Sequence, residues 1–169
     1  MAQDERTQLY FAYGSNLNPT QMAERCPGHR VVGRAFLRGY TLRFRGYGRD
    51  WAGAVGTVEP SAGSDVWGVV FELTPAHYVA LDRYEGYDGP DEATNLYDRV
   101  EMTVGLESGG AVACLTYVIR PLAEGLPSRA YLDAILTGAR HHGLPAEYVA
   151  ALAALPVAAA AGADVSRGP

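Results

Sequence analysis

Strand-like segments follow one another closely between residues 30 and 73, with no helix-length segment between them. Residues 30–47 are predicted to form two strands, because side chains alternate there, with Tyr40, Leu42 and Phe44 on one face and Thr41, Arg43 and Arg45 on the other. Two further strands are predicted over 52–59 and 66–73, joined by turn residues 60–64. Since parallel strands of a doubly wound sheet need helical crossovers, this order argues against that fold.

The remaining segments add a few helices and one more hairpin. In chain order we predict a strand (8–13), a short helix capped by Asn18, a helix that begins after Thr74 and ends at Glu85 before Gly86, a hairpin (97–106 and 111–119), and helices that begin after Ser128 and at Pro145. The predicted class is α+β, a small mixed β-barrel or strongly curved sheet with a few flanking helices.

One domain is predicted over residues 8–155, with a flexible N-terminus over 1–7 and a disordered, Ala- and Gly-rich tail over 156–169. The net charge of −5 gives no global electrostatic case for binding nucleic acid or an anionic membrane. No segment reaches the ~20 apolar residues of a membrane span, and residues 1–7 lack the apolar core of a signal peptide. We therefore expect no nucleic-acid partner and no membrane partner.

The cysteine and lysine content narrows the chemistry that a site can use. Cys26 and Cys114 are the two cysteines and form no CxxC pair, which favours a reduced cytoplasm over a disulfide scaffold or a zinc site. All 14 basic residues are arginines, so a Schiff-base lysine and the lysine of a Walker A loop are excluded. We expect a cytoplasmic protein without a metal site.

Glu85 is the candidate acid–base residue. It shares one face of its predicted helix with Tyr78 and Leu81, and it lies in the last turn. Partial burial and the negative end of the helix dipole both disfavour the carboxylate anion, so the pKa of Glu85 should rise toward neutrality. Such a carboxyl can move protons at neutral pH. The alternative from the pattern alone is a solvated glutamate at a frayed helix end.

A second candidate lies where the aromatic strand Leu9–Tyr13 runs into Gly14, Ser15 and Asn16. This turn either reverses the chain or holds a ligand. A glycine lets the backbone come close to a bound molecule, and consecutive free amides suit an oxyanion or a carboxylate.

Four motifs occur in order over residues 8 to 155. They are Tyr13-Gly14-Ser15-Asn16, the stretch Val66-Trp67-Gly68-Val69-Val70 followed by Leu81-Asp82-Arg83-Tyr84-Glu85-Gly86, the hairpin around Tyr97 and Cys114-Leu115-Thr116-Tyr117, and the run Pro127-Ser128, Tyr131, Gly138-Ala139 and Gly143–Tyr148. Together they resemble the motifs of γ-glutamylcyclotransferases in the AIG2-like superfamily. The strand motif also resembles the general γ-glutamyl branch more than the glutathione-specific one.

This resemblance implies a cofactor-independent and metal-independent enzyme. Its substrate would be a small γ-glutamyl amide, whose own α-amine attacks the γ-carbonyl to form 5-oxoproline and release an amine. Glu85 would be the catalytic acid–base residue. The substrate-binding residues implied are Tyr13, Gly14, Ser15 and Asn16, whose amides form the floor of the pocket, with Tyr97, Tyr117 and Tyr131 at its rim.

The segment between Glu85 and Tyr97 is longer and more acidic than the resemblance leads us to expect. Asp88, Asp91 and Glu92 either line the mouth of the pocket, where they would favour a cationic leaving group over glutathione, or belong to a solvated loop. Both interpretations stay open at this point.

Four other functions compete with this interpretation. A Ser15 nucleophile lacks the GxSxG elbow and a motif that supplies a histidine. Arginines interleaved with aromatics over 38–49 are typical of single-stranded nucleic-acid binding as well as of a solvated strand face. A non-catalytic binding protein of the same fold and a glutathione-specific cyclotransferase are the more serious alternatives. The leaving amine and the oligomeric state, a homodimer included, stay open.

Overall fold

A computed structural model describes residues 6–160 of the protein. Its elements, in chain order, are β1 (Gln8–Ala12), a short 3-10 helix (Ser15–Leu17), α1 (Pro19–Arg25), β2 (Arg30–Gly48), β3 (Gly53–Leu73), α2 (Pro75–Glu85), β4 (Tyr97–Leu106), β5 (Ala111–Ile119), α3 (Arg129–His141) and α4 (Ala146–Ala153). Within residues 6–160, no helix has the length and apolar character that crossing a membrane requires.

The five strands close into a barrel in the order β1-β3-β2-β4-β5. Neighbouring strands are antiparallel, except that β1 meets β5 in parallel at Tyr10 and Leu115. This single parallel contact closes the barrel and makes it mixed. The predicted α+β class with a small mixed barrel is confirmed.

Two details of the strand prediction are wrong. Residues 30–47 belong to one strand rather than two, and β3 runs without a break through the predicted turn 60–64. On β3 the pairing with β2 jumps from Asp65 to Pro60, so the intervening residues bulge out of the ladder instead of ending the strand. Glycines with positive φ on both strands, Gly39 and Gly63, permit this irregularity.

The β2–β3 hairpin therefore turns at one place only, the four residues between Gly48 and Gly53. We call residues 49–52 the hairpin tip. It contains Arg49, Asp50 and Trp51, together with Ala52, which has a φ of 53°. Because the two strands are long, the hairpin tip lies away from the middle of the barrel and toward the helices.

Strand β1 has both faces buried. Tyr10 and Ala12 belong to the core that joins the barrel to helices α2 and α3, while Phe11 and Tyr13 belong to the core enclosed by the strands. A strand held on both faces has little freedom to shift its register. The position where β1 ends, and where the Gly14 turn begins, is fixed accordingly.

Helix α2 begins and ends as predicted. Thr74 and His77 form a capping box at its start, and Gly86 adopts the left-handed conformation, with a φ of 65°, directly after its last residue. Tyr78 and Leu81 are buried on the barrel side. These contacts place Glu85, on the same face of the helix, at the end of the barrel where β1 also ends.

The predicted flexible ends are only partly covered by the structure. Residues 1–5 and 161–169 lie outside the described residues. Residues 156–160 form neither helix nor strand, and the Ala158 amide donates to the Pro127 carbonyl 2.8 Å away.

Candidate active site

A small cavity, of about 30 Å³, lies at the end of β1, and we call it the inner cavity. All eight predicted site residues line it: Tyr13, Gly14, Ser15, Asn16, Glu85, Tyr97, Tyr117 and Tyr131. Tyr10 and Gly56 complete the lining, and neither was predicted. The structure thus brings together residues from β1, the Gly14 turn, β3, α2, β4, β5 and α3.

Glu85 enters this cavity from the end of α2, and its side chain is 16% exposed. Its Oε1 atom accepts a hydrogen bond from Asn16 Nδ2 at 3.1 Å and lies 3.9 Å from Arg25 Nη1. Burial is the largest influence and raises the pKa of Glu85 to about 7, although Arg25 and Asn16 oppose it. Glu85 is therefore a carboxyl that exchanges a proton near neutral pH.

The Gly14 turn presents main-chain amides to the cavity. Ser15 and Asn16 occupy the first turn of the 3-10 helix, where amides have no acceptor within the helix. The Asn16 side chain is held from both ends, because its Nδ2 atom donates to Tyr10 Oη at 2.9 Å while its Oδ1 atom accepts from Gln21 and Arg25 at 3.0 Å each. The turn is therefore fixed beside Glu85 without using the amides of Ser15 and Asn16.

Three tyrosines and the backbone of Gly56 form a second side of the cavity. Tyr97 Oη donates to the Gly56 carbonyl at 2.7 Å, and the Gly56 amide donates to Tyr131 Oη at 2.9 Å. Tyr13 Oη donates to the carbonyl of Tyr117. Burial raises the pKa of Tyr13, Tyr97 and Tyr131. These phenols stay protonated at neutral pH, where Tyr13 and Tyr97 donate to backbone carbonyls and Tyr131 accepts from a backbone amide.

One turn before Glu85, Asp82 forms a partly buried charged network. Its carboxylate accepts from Arg99 Nη1 at 2.8 Å and from Tyr117 Oη at 2.7 Å. Burial is the first cause that raises the pKa of Tyr117, and its bond to Asp82 adds to it. Tyr117 is thus fixed to α2 and its phenol proton points to Asp82.

A second cavity, of about 130 Å³, adjoins the first. The two share Ser15, Glu85, Tyr97 and Tyr131, and the second continues outward between the hairpin tip and α2. Its additional lining consists of Arg25, Gly48, Arg49, Asp50, Trp51, Val55, Tyr84 and Leu96. Trp51 packs against Tyr131 with ring centroids 5.0 Å apart, which joins the hairpin tip to the site.

The acidic segment after α2 lies away from both cavities, which favours the solvated loop over the pocket rim. Asp88, Asp91 and Glu92 are exposed and are not among the residues that line either cavity. The buried Asn95 fixes the segment in this position, because its side chain accepts from the Asp88 amide and donates to the Gly89 carbonyl, at 2.8 Å each. The hairpin tip, rather than this segment, lines the second cavity.

The geometry does not support a serine hydrolase. Ser15 Oγ accepts from Gln21 Nε2 at 2.9 Å, and none of the described residues that line the cavity is a histidine. His142 instead contacts the Leu17 carbonyl, and His77 belongs to the cap of α2. Among residues 6–160, no group of three or more His, Cys, Asp or Glu side chains is placed to hold a metal ion.

Of the site residues that the sequence did not reveal, two carry a recognisable signal. A glycine within a strand, such as Gly56, is typical of a close backbone approach. Tyr10 lies in the same aromatic strand as Tyr13, four positions before Gly14. Arg25 and the hairpin tip have no local signal, because only the closed barrel brings them to the site.

Comparison with known proteins agrees with this geometry. The model of the AIG2-like family matches residues 65–152, a segment that contains Glu85 and three of the site tyrosines. Gamma-glutamylcyclotransferase of Homo sapiens is 32% identical over 90% of this chain and 80% of the relative, and that of Bos taurus is 32% identical over 87% and 78%. The chain belongs to the AIG2-like family of γ-glutamylcyclotransferases.

A solved structure described as gamma-glutamyl cyclotransferase has the same fold as this AIG2-like chain. The TM-score is 0.85 at 30% sequence identity, and the match covers 96% of this chain and 95% of that one. The resemblance inferred from the four motifs is therefore confirmed, and it extends over nearly the whole chain.

Proposed function

We propose that the protein is a γ-glutamylcyclotransferase that converts a small γ-glutamyl amide into 5-oxoproline and a free amine or amino acid, with Glu85 as general acid–base. The observation that carries this proposal is that one cavity is lined both by Glu85 and by Ser15 and Asn16, whose amides have no acceptor within the 3-10 helix. Membership of the AIG2-like family and the names of its curated relatives support the same activity.

The first step requires a base. The α-ammonium of the substrate gives a proton to the Glu85 carboxylate, and the resulting amine attacks the γ-carbonyl carbon of the same molecule. Because nucleophile and electrophile are tethered, the protein accelerates ring closure chiefly by holding the folded conformer. A carboxyl whose pKa is about 7 accepts this proton and remains acidic enough to return it.

The second step requires an acid and a stabilised oxyanion. When the carbon–nitrogen bond breaks, Glu85 gives its proton to the leaving nitrogen and then takes the second proton that the attacking nitrogen must lose to become the neutral lactam. Glu85 passes this proton to the released amine or to water, so the carboxylate is restored and the proton count balances over one turnover. The main-chain amides of Ser15 and Asn16 face the negative charge that develops on the carbonyl oxygen. Preorganised donors of this kind stabilise a transition state strongly in an enclosed cavity.

The leaving amine lies in the second cavity in this proposal. That cavity opens outward from Glu85 between the hairpin tip and Tyr84, so an amine released there can leave without crossing the inner cavity. The inner cavity, with its fixed tyrosines, holds the glutamyl part through Tyr13, Tyr97, Tyr117 and Tyr131.

The decisive experiment measures 5-oxoproline release from a panel of γ-glutamyl amines, γ-glutamyl amino acids and glutathione. We expect Glu85→Gln to lower kcat by roughly 10² or more, with substrate binding retained by calorimetry. Turnover by the wild type should also survive EDTA treatment and thiol alkylation. Binding without any release of 5-oxoproline by the wild type would instead support a non-catalytic binding protein of this fold, and a preference for glutathione would support the glutathione-specific alternative.

Two further expectations accompany the proposed activity. We propose a cytoplasmic location, where the unpaired and buried Cys26 and Cys114 stay reduced. A homodimer and the absence of a nucleic-acid or membrane partner stay predictions.

A further inference from the structure

Arg25 is the last residue of α1 and lines the second cavity. Its side chain is only 15% exposed. Three contacts hold it: Nη1 donates to Asn16 Oδ1 at 3.0 Å, the same atom lies 3.9 Å from Glu85 Oε1, and the guanidinium covers the Tyr84 ring at 4.2 Å from its centroid. Burying a long cationic side chain costs solvation free energy, so its position beside a carboxylate calls for a physical explanation.

We propose that Arg25 is a positioning residue that keeps the Glu85 carboxylate ionised and fixes the Asn16 side chain beside it. This inference deepens the proposed function, on which it rests, by assigning the cation that makes Glu85 available as a base. Arg25 itself touches neither the reacting carbon nor the reacting nitrogen in this scheme.

The charges that surround Glu85 single out Arg25. Tyrosines face the carboxyl from β1, β4, β5 and α3, and burial raises the pKa of each, so they are neutral near pH 7: Tyr10, Tyr13, Tyr97, Tyr117 and Tyr131. On α2 itself, Asp82 opposes the ionised form but is paired with Arg99.

Beyond these groups, the hairpin tip adds one charge of each sign at the second cavity, Arg49 and Asp50. Neither is among the causes that shift the pKa of Glu85. Arg25 is therefore the cation that offsets the burial of this carboxylate, and it is the largest influence that lowers the pKa of Glu85.

The distances indicate that charge is the means by which Arg25 acts on Glu85. A separation of 3.9 Å is too long for a hydrogen bond, whereas it is close enough for a strong Coulomb interaction in a buried place. The hydrogen bond from Arg25 goes to Asn16 instead, and Asn16 in turn donates to Glu85. Lysine at this position would preserve the charge, while glutamine would preserve only hydrogen bonding.

A titration that needs no turnover tests the inference directly. The ¹³C carboxyl signal of Glu85, assigned with Glu85→Gln, is followed against pH in the wild type, Arg25→Gln and Arg25→Lys. We expect the midpoint to rise by about one pH unit or more in Arg25→Gln and to move by less than about 0.3 in Arg25→Lys. Arg45→Gln is the matched control, because Arg45 is also partly buried and paired with Glu59, away from the cavities.

Kinetics supply the second measurement. With a one-unit shift from pKa 7, Arg25→Gln should release 5-oxoproline about fivefold more slowly at pH 7, and the loss should fall below about twofold at pH 9. A midpoint that stays in place in Arg25→Gln overturns the inference, and so does an equal loss of rate at every pH. Absence of cyclotransferase activity in the wild type would instead contradict the proposed function, while the titration would still decide the role of Arg25.

Discussion

Asn16 Nδ2 lies 3.1 Å from Glu85 Oε1, a hydrogen bond between residues 69 positions apart in the chain. It joins the turn that follows β1 to the last residue of α2. The same side chain also bonds to Tyr10, Gln21 and Arg25, so the amide cannot rotate without breaking several contacts. The base and the floor of the cavity are thus held in one fixed arrangement before any substrate binds, which is the preorganisation that an intramolecular reaction needs.

The first prediction concerns the pH dependence of kcat/KM. Glu85 must be ionised to accept the α-ammonium proton, so the rate should rise with pH and reach half of its limit near pH 7. Asp82→Asn should move this midpoint to lower pH, because the negative charge of Asp82 raises the pKa of Glu85. Asp98→Asn is the control: Asp98 is also paired with an arginine, Arg120, but is not among the influences on Glu85.

A midpoint near pH 4.5 in the wild type would contradict this prediction, since that is the ordinary pKa of an exposed glutamate. An upward shift in Asp82→Asn would also contradict it. Both profiles can be measured with one substrate by following 5-oxoproline.

The second prediction is that Glu85 destabilises the fold at neutral and alkaline pH. Its pKa is about 7 in the folded protein against 4.5 in the unfolded chain, so the folded state binds the proton more tightly. Below pH 4.5 Glu85 is protonated in both the folded and the unfolded state, and the free energy of unfolding is not reduced. As the pH rises through 7, the folded protein must ionise a buried carboxyl, and the free energy of unfolding falls. Glu85→Gln, which is always neutral, should therefore unfold with a free energy about 1–3 kcal/mol larger than the wild type at pH 8.

Chemical denaturation at pH 4.5 and pH 8 measures this difference. The variant and the wild type should be closely similar in stability at the lower pH, provided both are folded there. If the variant is as stable as the wild type at pH 8, or less stable, then the buried Glu85 carboxylate does not destabilise the folded state.

Much of the site follows from local sequence signals. Thr74 and Gly86 mark the two ends of α2, and with them the sequence places Glu85 in the last turn. The aromatic strand before Gly14 ends where expected, and the four motifs contain eight of the ten residues that line the inner cavity. These features depend on contacts within a few residues, which a sequence pattern records directly.

The rest depends on the strand register. Nothing near residues 49–52 indicates that this turn reaches Glu85, because its position results from 19 and 21 residues of antiparallel pairing in β2 and β3. The turn composition of 60–64 is a real signal for an irregular backbone, yet the barrel accommodates it as a bulge. Arg25 is likewise brought to the cavity by packing of the short α1, which no periodic pattern predicts.

The third prediction concerns the support of the Gly14 turn. Gly138 of α3 packs directly on the backbone of Leu17, and a β-carbon there would overlap the Leu17 carbonyl group. Gly138→Ala should lower the free energy of unfolding by about 1–3 kcal/mol, since backbone cannot give way as a flexible side chain can. It should also raise KM, because Leu17 belongs to the same 3-10 helix as Ser15 and Asn16.

Gly33→Ala is the matched control. No atom lies within 4 Å of the β-carbon that this change would add, so stability should change by less than about 0.5 kcal/mol. Thermal and urea unfolding of both variants decide the matter. Equal stability of Gly138→Ala and the wild type would contradict the prediction, because α3 and the turn could then move apart without a loss in the free energy of unfolding.

The last prediction concerns which charges choose the leaving group. Arg49 and Asp50 line the second cavity, whereas Asp88, Asp91 and Glu92 do not. We therefore expect the hairpin tip, and not the acidic segment, to set charge preference. Two substrates of similar shape separate the effect: γ-glutamyl-alanine, whose leaving group carries a carboxylate, and γ-glutamyl-isopropylamide, where a methyl group replaces it.

Arg49→Gln should lower kcat/KM for γ-glutamyl-alanine relative to the isopropylamide, and Asp50→Asn should raise it. Both side chains are exposed, and exposed charges interact by about 1 kcal/mol or less, so each change should be several-fold at most and should shrink in high salt. Neutralising Asp88, Asp91 and Glu92 together should alter the ratio by less than about twofold. A large change in that triple variant, with none in Arg49→Gln, would mean that the acidic segment selects the leaving group instead. The comparison is direct because the two sets of charges are separate in the sequence and are tested on the same measured ratio.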